Sequence, residues 1–203
     1  MRIPKHIRVS LNAWALRKMA NEKPSVVIGP SDNPYLHRWH VIPRNRFFNI
    51  YLHRFFRSDD DRALHDHPWA NCSILIAGDY TEWTREIDEE KTAELKAKAI
   101  KENMYGYVVL SKNVPHERKQ GFCYFRRASV AHRVELIPMM HFKGSIMEMM
   151  GCPAGYAPVT TLFITGPKVR DWGFHCPKGW VPWEKFTDIS EDGANIVGKG
   201  CDQ

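Results

Sequence analysis

The chain has 203 residues, of which 43% are hydrophobic, 26% charged and 12% aromatic. That length suits one globular domain with a proper core, and the composition excludes a wholly disordered chain. No apolar run approaches the length of about eighteen residues that a membrane span needs. Lys and Arg outnumber Asp and Glu by 29 to 23, a net charge of +6 that suits an anionic ligand without requiring one.

Residues 6–22 are expected to form a helix, with Ile7, Leu11 and Trp14 on one side and Ala13, Leu16 and Ala20 beside them. Residues 29–34 read as a turn cluster. From 35 to about 175 the pattern changes to short runs rich in aromatic and β-branched residues, at 35–42, 47–56, 72–83, 105–110, 122–126, 131–137 and 159–165. Such runs predict a mainly β sandwich, jelly roll or barrel. Residues 87–102, rich in Glu, Lys and Ala, are expected as a solvated helix or long hairpin between strands. Residues 138–158 hold five of the eight methionines and read as a long flexible loop over one mouth of the fold. Three tryptophans follow at 172, 180 and 183, as packing across that mouth, an aromatic clamp or an oligomer contact. The five cysteines show no C-x-x-C spacing, and Val9–Leu16 is broken by Asn12 and followed by Arg17 and Lys18, unlike a signal-peptide core. The expectation is a soluble cytoplasmic protein in a reducing compartment.

Ten histidines are many for this length, and their spacing decides what they mean. His65-Asp66-His67 places two imidazoles on one face of a strand, able to reach a common point about 2 Å from each. His132 is the best third ligand. Three histidines of this kind suit a divalent transition metal, whether Fe, Zn, Ni or Cu.

These residues resemble the two motifs of the cupin superfamily, G-x5-H-x-H-x3,4-E-x6-G and G-x5-P-x-G-x2-H-x3-N. His65, His67 and Gly78 match the first, with Asp59 at its leading Gly and Asn71 at its Glu. Gly121 and His132 match the second, with Arg127, Ser129 and Leu136 at its Pro, Gly and Asn. The resemblance covers about residues 45–166 and implies a cupin-like jelly roll, or double-stranded β-helix, preceded by an N-terminal helix. The expected organisation is a helical arm over 1–34, a cupin-like β-barrel domain over 35–187 and a flexible tail over 188–203. The metal would be held by His65, His67 and His132, with Asn71 as candidate fourth ligand or substrate contact. Cupins are often dimers, so a homodimer is implied.

Asn49, Tyr51 and His53 alternate on one face of 47–56, as in a strand lining a polar cavity, which makes His53 and Tyr51 candidate catalytic residues. Arg54, Arg127 and Trp69 are candidate substrate contacts, the arginines for a phosphate or carboxylate. The leading expectation is a metal-dependent, oxygenase-like enzyme acting on a small polar or anionic molecule. A sugar or sugar-nucleotide isomerase or epimerase of the same fold, and a non-catalytic ligand-binding or interaction module, are the alternatives. Basic and aromatic residues interleave over 166–183, but no nucleic-acid module accompanies them, so neither nucleic acid nor membrane is an expected partner.

Overall fold

In a computed structural model, which describes residues 1–30, 32–59, 63–104, 109–138, 155–189 and 195–202, the N-terminal helix α1 spans Lys5–Asn21. Leu11, Trp14, Ala15 and Met19 pack against Trp39, Leu52 and Ile76, while Ile7 and Leu16 are exposed. The buried stripe therefore runs through Leu11, Ala15 and Met19 at four-residue intervals, turned from the Ile7–Leu11–Trp14 side that was expected.

Among the described residues the strands after α1 are β1 (Val26–Ile28), β2 (Leu36–His40), β3 (Asn49–Phe55), β4 (Leu64–His65), β5 (Asn71–Ala77), β6 (Tyr80–Ile87), β7 (Ser111–Arg118), β8 (Cys123–Arg126), β9 (His132–Leu136), β10 (Val159–Thr165), β11 (Gly173–Cys176), β12 (Gly179–Pro182), β13 (Thr187–Ile189) and β14 (Asn195–Val197). The described helices after α1 are α2 (Glu89–Lys101) and the short α3 (Trp183–Phe186). One six-stranded sheet has the order β1-β2-β3-β10-β5-β8, and the other β12-β11-β4-β9-β6-β7. Every named strand pair is antiparallel. The order interleaves strands distant in sequence, which is the jelly-roll arrangement expected from the motifs. The expected closed barrel is not what forms: among the described residues the two sheets remain separate and open at their edges.

Period-two alternation sends one set of side chains between the sheets. At one end of that space Leu75, Tyr80, Val134, Leu136 and Val159 form a dry cluster. Each such buried side chain contributes about 1.5–3 kcal/mol relative to exposure. The other end is polar, and there the histidines lie. The opposite face of the first sheet carries Leu52 and Ile76 and is covered by α1.

The run at 72–83 divides into β5 and β6, one in each sheet. Gly78 makes the corner at φ +77°, and a Cβ there would come within 2.7 Å of the Pro158 carbonyl oxygen. The segment at 87–102 is helical, with Asp88 accepting a hydrogen bond from the Lys91 backbone N–H at 3.3 Å. Most of the strand expected at 105–110 lies outside the described residues, and the strand described after it is β7. That strand reads poorly in sequence because Pro115 and its charged neighbours are tolerated only at a sheet edge. Most of the methionine-rich segment, 139–154, lies outside the described residues.

Part of the tail expected over 188–203 lies outside the described residues. β13 pairs with β14, and Cys176 forms a disulfide with Cys201. A structural disulfide is the habit of oxidising compartments, so cysteine spacing alone does not carry the expectation of a reducing one. No helix among the described residues is long and apolar enough to cross a membrane.

Candidate metal centre

His65 on β4 is directly opposite His132 on β9 in the ladder that joins them. His67 lies just beyond β4, where its backbone N–H donates to the Ala128 carbonyl at 3.2 Å. That bond ties the H-x-H segment to the turn at 127–130, closed by the Val130 N–H to the Arg127 carbonyl at 3.1 Å. Among the described residues the only non-glycine with positive φ is Asn103, so this turn accepts Arg127 and Ser129 where the motif has Pro and Gly. Gly121, by contrast, needs its glycine, with φ +83°.

One ring nitrogen from each of His65, His67 and His132 lies within 4.8 Å of the others. His67 Nε2 and His132 Nε2 are 2.8 Å apart. Burial pulls the His65 pKa down to about 4, with the nearby Asp59 charge acting the other way. Burial, and then the neighbouring His132 and His65, hold His67 well below its ordinary range. Both rings are therefore neutral at pH 7, the form that offers a lone pair to a metal.

Carboxylates stand behind two of the rings. Asp59 Oδ2 is 3.8 Å from His65 Nδ1 and accepts the Val134 backbone N–H at 2.7 Å. Glu82 on β6, fully buried, brings Oε1 to 2.7 Å from His132 Nδ1, oblique to the ring N–H axis. Glu82 also pairs with Arg126 Nε and, at 2.5 Å, with Arg118 Nε. Burial alone would raise the Glu82 pKa, but His132 and Arg126 outweigh it and hold the carboxyl far below the usual range. Sequence analysis missed Glu82. Its one signal is the two-residue step from Tyr80, which places both between the sheets.

The donor set fits a divalent cation. Two nitrogens bound to one ion at about 2.1 Å and at right angles would be about 3 Å apart, close to the His67–His132 spacing. Metal-bound histidines ordinarily lean on carboxylates through the other ring nitrogen, the place that Glu82 takes beside His132. Asn71, 2% exposed, has its Oδ1 accepting from Arg126 Nη1 at 3.4 Å, while its Nδ2 has no hydrogen-bond partner among the described residues.

The remaining expected site residues are divided. Trp69 stacks on His67 with ring centroids 5.1 Å apart, forming one wall. Phe163 on β10 lies between His67, at 6.1 Å, and His53, at 5.0 Å. His53 and Tyr51 do face between the sheets from β3, and their rings stack at 5.8 Å. His53 Nε2 accepts a hydrogen bond from Arg38 Nε at 2.9 Å, which leaves its proton on Nδ1. Burial, and then the Arg38 charge, hold its pKa well below the usual value. Arg54 does not reach the site: it is on the other face of β3, stacked on Phe56 and donating to Met19 Sδ at 3.9 Å under α1. The alternation that brings His53 inward sends Arg54 outward. Arg127 is exposed at the 127–130 turn.

Asp66, between the two ligating histidines, points away from them and is fully buried. It accepts hydrogen bonds from the Gly173 backbone N–H at 2.9 Å and from Trp180 Nε1 at 3.1 Å. His175 Nε2 and Arg170 Nη1 are each 3.0 Å from its Oδ2. The aromatic C-terminal run is thereby pinned beside the site, with Trp172 6.4 Å from the His65 ring.

No family model matches the chain, and no curated protein does. Among solved structures it is similar to DMSP lyase DddQ from Ruegeria pomeroyi DSS-3, with 9% identity and a TM-score of 0.46 over 88% of this chain and 73% of that one. It is also similar to Fe(II)-HppE in complex with an alternative substrate, with 10% identity and a TM-score of 0.40 over 71% of this chain and 56% of that one. A third is an RmlC-like cupin family protein with a double-stranded β-helix fold from Methanocaldococcus jannaschii, with 12% identity and a TM-score of 0.35 over 73% and 93%. Cupin-superfamily proteins are thus among the structures that this chain is similar to.

Proposed function

We propose that the chain is a mononuclear metalloenzyme of oxygenase type, acting on a small polar or anionic molecule. The observation that carries this reading is the convergence of three histidines from two distant segments within 4.8 Å, two of them held neutral by burial. No carboxylate completes the ligand set at position 71, so a bound divalent ion would keep positions open for substrate and a second reactant. The ion, when bound, supplies Lewis acidity or, as Fe(II), access to dioxygen chemistry.

The chain's own residues supply the rest. Glu82 orients His132, Trp69 and Phe163 exclude water, and His53 offers an Nδ1–H donor toward the space between the sheets. The isomerase alternative needs His53 to exchange a proton near neutral pH. Its burial, the Arg38 charge and the occupied Nε2 all work against that role. The cytoplasmic placement expected from cysteine spacing would require the Cys176–Cys201 pair to be reduced in cells.

The test is anaerobic reconstitution with Fe(II), then measurement of dioxygen uptake with a panel of small carboxylates and phosphorylated molecules. Substrate-dependent uptake by the parent that is lost in His67→Ala would support the reading. Uptake that is the same in both proteins would overturn it.

A further inference from the structure

Among the described residues, Arg38 is a cation between the sheets with no carboxylate partner. β2 pairs with β3 so that Arg38 is opposite His53 and His40 is opposite Tyr51. Trp39, the residue between them, points the other way and packs under α1. Arg38 Nε donates to His53 Nε2 at 2.9 Å, and its guanidinium carbon is 4.9 Å from the Tyr51 ring centroid. Among the described residues neither Nη atom, with four N–H donors between them, has a hydrogen-bond partner. Among the described residues the ionisable groups that act on it are Tyr51, Tyr35 and Arg44, with no Asp or Glu. Other interior arginines here are paired: Arg126 and Arg118 both meet Glu82.

Arg38 is half-buried, and the free edge of its fork matches the two oxygens of a carboxylate or phosphoryl group. Its position gives that match a direction. His53 joins it to Phe163, and Phe163 in turn packs against His67. A molecule lying over Phe163 would have one end at Arg38 and the other at the three histidines. Sequence analysis sought such a cation at Arg54 and Arg127; the strand register gives the role to Arg38 instead.

We propose that Arg38 is the anchor of an oxyanion-bearing substrate, gripping its carboxylate or phosphoryl group through the two Nη atoms while the other end faces the histidine centre. This deepens the enzyme reading above and rests on it for what happens at the far end.

The experiment is calorimetric titration of the metal-loaded and the chelated protein with acetate and, separately, with inorganic phosphate. The parent is expected to bind at least one of the two, with and without metal. Preference for one identifies the group as carboxylate or phosphoryl. Arg38→Gln should weaken that binding tenfold or more, and Arg38→Lys, which keeps the charge but loses the fork, should fall between. Cobalt(II) titration followed by its visible absorption serves as the independent readout, because all three proteins should take up the ion equally. Unchanged anion affinity in both variants, or anion binding by the parent that vanishes on chelation, would overturn the role of Arg38 and leave the metal reading standing. Should the parent take up no cobalt yet bind the anion through Arg38, the metal reading fails and the anchor remains. If Arg38→Gln does not fold, the comparison rests on Arg38→Lys, for which equal affinity again overturns the proposal.

Discussion

Glu82 Oε1 lies 2.7 Å from Nδ1 of His132, and the same carboxylate pairs with Arg126 and Arg118. One buried anion therefore supports a candidate metal ligand and neutralises a cation on β7 and, across the gap between the sheets, one on β8. Glu82→Gln keeps the shape but removes the charge. It should lower metal affinity by about 10–100-fold, as loss of a carboxylate behind a ligating histidine does. Leaving Arg126 buried and unpaired should also cost about 3–5 kcal/mol. Urea unfolding of the chelated protein measures the second effect, and competition against a chromophoric chelator the first. A variant unchanged in both would show that the contact has neither role.

Asn71→Glu tests the fourth-ligand position. Arg126 is beside position 71, bonding to the amide oxygen at 3.4 Å, so a new carboxylate would enter a partly compensated site. With metal added, the melting temperature should rise further in the variant than in the parent. Equal rises would mean that position 71 does not face the ion.

Acid should destabilise the metal-free protein before its carboxylates begin to titrate. The His65 pKa is lowered to about 4, and those of His67 and His53 are lowered as well. Between pH 6.5 and about 4.5 the unfolded chain binds protons that the folded chain refuses, so stability falls as the pH falls. Glu82, with a depressed pKa, adds its own loss mainly below about pH 4.5, where the unfolded carboxyl is more than half protonated. The urea midpoint of the chelated protein should therefore be lower at pH 5 than at pH 7. A midpoint independent of pH over that interval would contradict the buried, neutral state of these rings.

Much of this was legible in the sequence because the relevant constraints are local. H-x-H fixes two rings on one face, and Gly78 and Gly121 mark corners whose positive φ values demand glycine. Val159–Thr165 showed its β-branched run and is a strand over those residues. Glu82, Asp66 and Arg38 were not legible, for one shared reason. A charged residue within an alternating strand reads as solvent-facing, and only the pairing of distant strands shows that it is turned inward. Arg38 is opposite His53 across β2 and β3, and Glu82 meets His132 across β6 and β9 and Arg126 across the gap between the sheets. Arg54 failed for the complementary reason, since its nearness in sequence to His53 is what put it on the opposite face. The methionine-rich cover expected over 138–158 falls largely outside the described residues.

The central claim is that His65, His67 and His132 hold a metal ion. Its most direct test is elemental analysis of protein purified without chelators, beside the His65→Ala and His132→Ala variants, with circular dichroism to confirm that each is folded. The account predicts about one transition-metal ion per chain in the parent and strong depletion in both folded variants. A stoichiometry near zero for every transition metal in the parent, persisting after incubation with Fe(II) or Zn(II), would contradict it.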